Sequence, residues 1–143
     1  MKFEDSKYSK RFAYKKEVFS FGTLYLTKYF IVSELNEGVH VDYTIAGEII
    51  SRCSKYVHKG DKISYIANRY NSYSFNPQIW VDFNNEYDFL IATAIVSYSN
   101  FSHLNASLEK QFFSKSLKRC KSLDEAINWV INLDEITKVT NQS

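Results

Sequence analysis

Proline and glycine are scarce in this chain. Pro77 is the single proline, and Gly22, Gly38, Gly47 and Gly60 are the four glycines among 143 residues. That scarcity excludes a Pro- or Gly-rich linker. No internal repeat is visible, and the length suits one domain with a buried core. The glycines make neither a P-loop nor a dinucleotide fingerprint. Cys53 and Cys120 are far apart and form no CxxC, so a disulfide framework is excluded. Cys53 falls on the apolar side of a predicted helix and reads as a small core residue; a reduced, cytoplasmic setting fits. No apolar run approaches the roughly 20 residues of a membrane span, and the first residues hold no signal-peptide core. His40, His58 and His103 are isolated from one another and from cysteine at ligand spacing, so no metal and no cofactor is expected. Ser102-His103 lacks the flanking glycines of a nucleophile elbow.

Aromatic residues are plentiful, at 17% of the chain, beside an ordinary 45% hydrophobic and 24% charged content. The formal net charge of +2 is unevenly spread. Residues 1–16 carry Lys2, Lys7, Lys10, Arg11, Lys15 and Lys16 against Glu4 and Asp5, and the remainder is net acidic. The first segment therefore reads as a basic, flexible N-terminal arm. A nucleic-acid binder needs a strong basic patch. Outside the arm only Lys115, Lys118, Arg119 and Lys121 qualify, which argues against nucleic acid as a partner. Exposed aromatics would suit a homodimer face.

Along the chain, residues 17–26 are rich in aromatic and branched side chains and predict one strand, bent at Gly22. Residues 29–35 predict a second, antiparallel to it. Asp42 caps a predicted helix with apolar residues at Ile45, Ala46, Ile49, Ile50, Cys53, Tyr56 and Val57, stopped by Gly60. Ile63–Ala67 predicts the next strand. Asn76 and Pro77 open a helix with a stripe at Ile79, Trp80, Phe83 and Tyr87. Residues 91–98 predict a central strand buried on both faces. Asn100–Asn105 reads as a polar loop, followed by a helix marked by Leu104, Leu108 and Phe112. Leu117–Cys120 is a basic edge strand. Ser122 and Glu125 form a capping box for the last helix, which buries Ala126, Ile127, Val130 and Ile131. Residues 134–143 read as a fraying tail. Strands alternating with helices predict an α/β fold with parallel strands and right-handed crossovers.

This order resembles the STAS domain of anti-sigma-factor antagonists and the SpoIIAA-like proteins grouped with the Sec14 fold. The resemblance covers about residues 17–133, a single domain. It is carried by Phe21–Tyr25 (FGTLY), Val32–Gly38 (VSELNEG), Ile66–Ser74 (IANRYNSYS) and Ala94–Tyr98 (AIVSY). Such stretches are similar to those of small bacterial STAS/Sec14-like proteins with no assigned activity. The resemblance implies a SpoIIAA-like mixed, mostly parallel sheet of about five strands with about four helices and an antiparallel first strand at the edge. Anti-sigma antagonists carry an Asp-Ser-Ser-Gly type motif whose serine is phosphorylated at a helix N-terminus. This chain has Asn71-Ser72-Tyr73-Ser74 in that region, without the aspartate or glycine. The resemblance makes Ser72 or Ser74 the candidate phosphorylation sites.

The segment after the strand at 63–67 is the candidate site, because ligands of open α/β sheets sit beyond the carboxyl ends of the strands. Neighbouring parallel strands would bring Asn68, Arg69, Asn71, Ser72, Ser74, Ser97 and Asn100 around one crevice. There Arg69 would offer its planar fork to an anion, assisted by the helix start near Asn76. Alternatively Arg69 pairs with Glu34 or Glu37, and the Asn and Ser side chains tie down turns. The leading expectation is a non-enzymatic regulatory or binding protein for a protein partner or a small anionic or lipid-like ligand. The alternatives are a small enzyme using Arg69 with Glu34 or Glu37 in a cleft, and a structural oligomerisation module.

Overall fold

The computed structural model of the chain describes residues 1–58, 60–86, 89–111 and 116–142 (for 83–86, 101 and 134–142, the backbone alone). A 3-10 turn, Phe3–Asp5, and the short helix α1 (Tyr8–Arg11) precede an antiparallel hairpin of β1 (Lys15–Phe19) and β2 (Gly22–Leu26). Then come β3 (Phe30–Leu35), β4 (His40–Val41), α2 (Tyr43–Cys53), β5 (Ile63–Arg69), β6 (Ser74–Phe75) and α3 (Gln78–Glu86). The chain closes with β7 (Leu90–Ser97), α4 (Asn100–Lys110), β8 (Ser116–Cys120) and α5 (Leu123–Gln142). The main sheet runs β1-β2-β3-β5-β7-β8, while β4 and β6 form a separate two-stranded ribbon. β1, β2 and β3 pair antiparallel; β3, β5, β7 and β8 pair parallel. The expected mixed, mostly parallel α/β sheet is present, with six strands rather than about five and with five α-helices among the described residues.

The extra strand arises where one bent strand was expected over 17–26. Only Ser20 and Phe21 separate Phe19 from its register partner Gly22, so the chain reverses there. Gly22 has φ +156°, and a Cβ on it would stand 2.7 Å from both the Glu34 carbonyl oxygen and the Leu35 Cα. A side chain is excluded there because β2 lies too close to β3.

Strand alternation divides the core into two layers. Phe30, Val32, Ile66, Ala94 and Val96 face the N-terminal segment and α5, meeting Phe3, Tyr8, Ala126, Ile127 and Val130. Leu24, Ile31, Leu35 and Ile63 face α2, with Ala46, Cys53 and Ile79. Ala67 and Ile95 meet Trp80, Ala106 and Leu117 on the side of α3 and α4. β7 is accordingly buried on both faces, as its apolar run predicts.

Several expectations are corrected. Residues 1–16 are not a frayed arm: Phe3 is 0% exposed, its ring centroid 4.9 Å from that of Tyr25, and Tyr8 is buried beside it. Aromatic burial outweighs the charge of this segment. α4 begins at Asn100, with the Ser99 hydroxyl accepting the Ser102 N–H at 3.2 Å, so 100–105 is helix and not loop. Leu104 and Leu108, at 69% and 47% exposure, do not face the core; Ser102, Ala106 and Glu109 do. The backbone of α5 runs on through 134–142. Phe83, Tyr87 and Phe112 lie outside the described side chains.

The expected helix caps are made, whereas α2 ends at Cys53, well before the stop expected at Gly60. Asp42 Oδ1 accepts the Ile45 N–H at 2.9 Å, and Asn76 Oδ1 accepts the Gln78 N–H at 3.1 Å. Ser122 Oγ accepts the Glu125 N–H at 3.1 Å, while the Glu125 carboxylate reaches one residue further back, to the Lys121 N–H at 3.0 Å.

The tight passage at Gly22 gives a direct test. Gly22→Ala is expected to destabilise the domain by about 1–3 kcal/mol in urea unfolding, as overpacking does. An unchanged midpoint would show that β2 and β3 yield to admit the methyl.

Candidate functional site

Arg69 ends β5 on the face turned toward α3 and α4. It is 1% exposed, and its Nη2 donates to Glu109 Oε1 of α4 at 2.6 Å; Glu109 is 2% exposed. Trp80 Nε1 donates to the same oxygen at 3.0 Å. The guanidinium lies 5.0 Å from the Tyr73 ring centroid. Burial disfavours its charge, but Tyr73 and the Glu109 carboxylate outweigh burial and raise its affinity for the proton. The partner of Arg69 is therefore neither Glu34 nor Glu37, which corrects the sequence expectation. Its charge is spent inside the core.

Asn68 and Glu34 lie on the opposite face of the sheet. Glu34 Oε2 accepts the Phe3 N–H at 2.6 Å and Asn68 Nδ2 at 2.7 Å. Asn68 Nδ2 also donates to the Met1 carbonyl at 2.9 Å, and Tyr98 Oη donates to Asn68 Oδ1 at 2.9 Å. These bonds fasten the first residues of the chain to β3, β5 and β7. Desolvation raises the Glu34 carboxyl above its ordinary value, opposed by the Phe3 N–H and the Asn68 amide. On the surface beside them, Tyr70 and Tyr98 meet edge to face with centroids 5.8 Å apart.

The loop of Asn71, Ser72 and Ser74 is zipped to the segment after β3. Asn71 Nδ2 donates to the Leu35 carbonyl at 3.1 Å, and Glu37 Oε2 accepts the Ser72 N–H at 2.8 Å. Ser74 Oγ and His40 Nδ1 lie 2.6 Å apart within the β4–β6 ribbon. Ser97 stands beside Arg69 in register and is buried, and Asn100 opens α4 at the surface. The seven candidate residues thus divide: Arg69 and Ser97 share one face, Asn68 takes the other, Asn71, Ser72 and Ser74 tie segments together, and Asn100 stands at the surface. They do not line one crevice.

A feature the sequence concealed lies between α2 and the sheet. A cavity of about 90 Å³ is bounded by Leu24, Ile31, Ala46, Ile49, Tyr65 and Phe75, together with other residues that are apolar except for Ser54 at its rim. The Tyr65 hydroxyl is engaged by Ser33 Oγ at 2.6 Å, so it offers the cavity chiefly its ring. Cys53 also borders it, and burial pushes its thiol up to about 11, so it is no thiolate nucleophile at neutral pH. The helical stripe Ile45–Cys53 announced burial but not the gap. The only hint was the small side chain of Ala46 among larger neighbours. Among the described residues, no three His, Cys, Asp or Glu side chains group as a metal site, and no helix is long and apolar enough to cross a membrane.

No family model and no curated protein matches the chain. Among solved structures, it is similar to an uncharacterised protein of the DUF3478 family with a SpoIIAA-like fold from Shewanella loihica PV-4. The two share 12% identity and a TM-score of 0.50 over 82% of this chain and 92% of that one. The chain therefore has a SpoIIAA-like α/β fold. The likeness extends to the fold alone.

The buried ion pair predicts an asymmetric response. Glu109→Gln leaves Arg69 in the core without its counter-charge and is expected to cost about 3–5 kcal/mol in urea unfolding. Arg69→Met combined with Glu109→Leu should recover most of that loss; a double variant as unstable as the single would refute the electrostatic account. Glu34 predicts a pH effect. Its carboxyl is raised in the fold, so its contribution to stability is full at low pH and is lost as pH rises through the folded value. Gln at this position keeps an oxygen for both donors. Glu34→Gln should flatten the fall in unfolding free energy as pH rises above the ordinary carboxylate value of about 4.3; parallel profiles for the two proteins would exclude Glu34 as its source.

Proposed function

We propose that this protein is a non-enzymatic binding module for a small ligand with an apolar, lipid-like end, held in the cavity between α2 and the sheet. The single observation behind this reading is the apolar lining of that space. Ligand sites are mostly apolar concavities with a few polar groups, and dry apolar cavities of similar scale take up small apolar molecules. Ile49 and Ile50 are half-buried, which favours access along α2. Phe75 belongs to the segment 68–76 that the sequence singled out, so this reading keeps part of the expected face.

The enzyme alternative is disfavoured by position. Acid–base catalysis needs groups converging on one substrate atom. Arg69 is paired with Glu109 on one face of the sheet, while Glu34 holds the Phe3 and Asn68 donors on the other. A protein partner or a homodimer remains the competing reading, and the exposed Tyr70–Tyr98 pair is the surface that would serve it.

Toluene and heptanoate are suitable probes. Either is expected to raise the melting temperature in proportion to its occupancy of the folded state. Ala46→Leu fills the cavity and should abolish that rise with near-UV dichroism preserved. Should neither probe shift the wild-type protein, the apolar-ligand reading fails. Native mass spectra of the same samples report the assembly: a dimer without bound ligand would move the reading to oligomerisation.

A further inference from the structure

The two ends of the main sheet are finished differently. β1 is one edge, and Arg52 of α2 occupies its end: Nη1 donates to the Val18 carbonyl at 2.6 Å, with the guanidinium 4.1 Å from the Phe19 ring centroid. β8 is the other edge, and no further strand pairs with it among the described residues. An unpaired edge is a template for another extended chain.

Basic side chains gather around that edge. His103 and Lys110 of α4, Lys118 and Arg119 of β8, and Trp129 of α5 line a cleft of about 550 Å³. Arg119 Nη1 lies 3.1 Å from His103 Nε2 and donates also to Ser107 Oγ. Arginine has no acceptor atom, so the imidazole nitrogen accepts, and neither partner neutralises the guanidinium. Lys118 Nζ has Glu125 Oε1 at 3.7 Å. Glu109, the acidic residue of α4, is turned into the core onto Arg69 and offsets nothing here. The cleft therefore keeps positive charge on a body that is otherwise slightly acidic.

We propose that this edge docks an extended acidic segment of a partner protein, which adds a strand to β8 and lays its carboxylates on Lys110, Lys118 and Arg119. Strand addition draws affinity from the backbone and specificity from alternate side chains. The charge selects acidic residues on one side of the added strand, and half-buried Trp129 offers an apolar platform. A free phosphate would use the charge but not the strand edge. A nucleic acid would carry its charge beyond the cleft onto the net-negative body. The cleft is separate from the α2 cavity, so this inference stands independently of the ligand proposed there.

The test uses the full chain and a capped, dye-labelled peptide of about ten alternating Glu and Val residues, a length that suits a strand. Fluorescence anisotropy should show saturable, salt-sensitive binding, with a Lys–Val peptide of the same length not binding. Lys110→Glu and Arg119→Glu should each weaken binding about tenfold. Lys110→Glu guards against misfolding, because Lys110 is exposed at the end of α4 and makes no described ion pair. Hydrogen exchange should show amides within 116–120 protected by the peptide. Binding unchanged in both variants, equal binding of the Lys–Val peptide, or no protection of 116–120 would each overturn the proposal. Displacement of the peptide by millimolar inorganic phosphate or by a single-stranded oligonucleotide without that protection would reassign the cleft to simple anions or to nucleic acid.

Discussion

The arrangement around the parallel strands depends on one buried ion pair. Arg69 and Glu109 meet at 2.6 Å with almost no exposure, and Trp80 adds a hydrogen bond to the same carboxylate oxygen. Two charges removed from water are tolerable only together. Glu109 must therefore point inward, and this sets the rotation of α4 about its axis. Ser102 and Ala106, at helical spacing from Glu109, follow it into the core, while Leu104 and Leu108 are left in solvent. The pair joins the end of β5 to α4, and the Trp80 bond draws α3 into the same contact.

A second constraint is the period of a strand. Asn68 and Arg69 are adjacent in sequence and so serve opposite faces of the sheet. Arg69 enters the α3 and α4 layer, while Asn68 joins Glu34 and Tyr98 in fastening the first residues of the chain. The polar segment that looked like a binding loop is consumed by assembly on both sides. What it leaves available is Phe75 against the apolar cavity and the Tyr70–Tyr98 pair at the surface. Charge that might have served a ligand beside β5 is neutralised inside, whereas charge beside β8 is left outside. The two sides of α4 explain much of this contrast. Its inward face carries the acid that satisfies Arg69, and its outer side carries His103 and Lys110 toward the edge strand.

Much of the fold was legible locally. Asp42, Asn76 and Ser122 cap the helices their positions suggest, and the apolar run of β7 reads as a strand covered on both faces. These features depend on neighbours within a few residues, where caps and periodicity operate. The misreadings share the opposite cause. Residues 1–16 looked mobile because their charge was visible and the partners of Phe3 were not; Tyr25 and Phe30 come from later strands. The α4 stripe was assigned to leucines because hydrophobicity normally chooses the buried face, and here an ion pair to a residue forty positions away chose it instead.

The amino-acid order by itself determined the alternation of strands and helices and, with it, a mixed, mostly parallel α/β sheet. These follow from local propensity, periodicity and composition. Tertiary structure alone decided which acid neutralises Arg69, which face each polar side chain serves, where small residues leave an apolar gap and which sheet edge stays open with its charge exposed. Each of those outcomes is a meeting of residues far apart in the chain, set by competition for burial that no local pattern records.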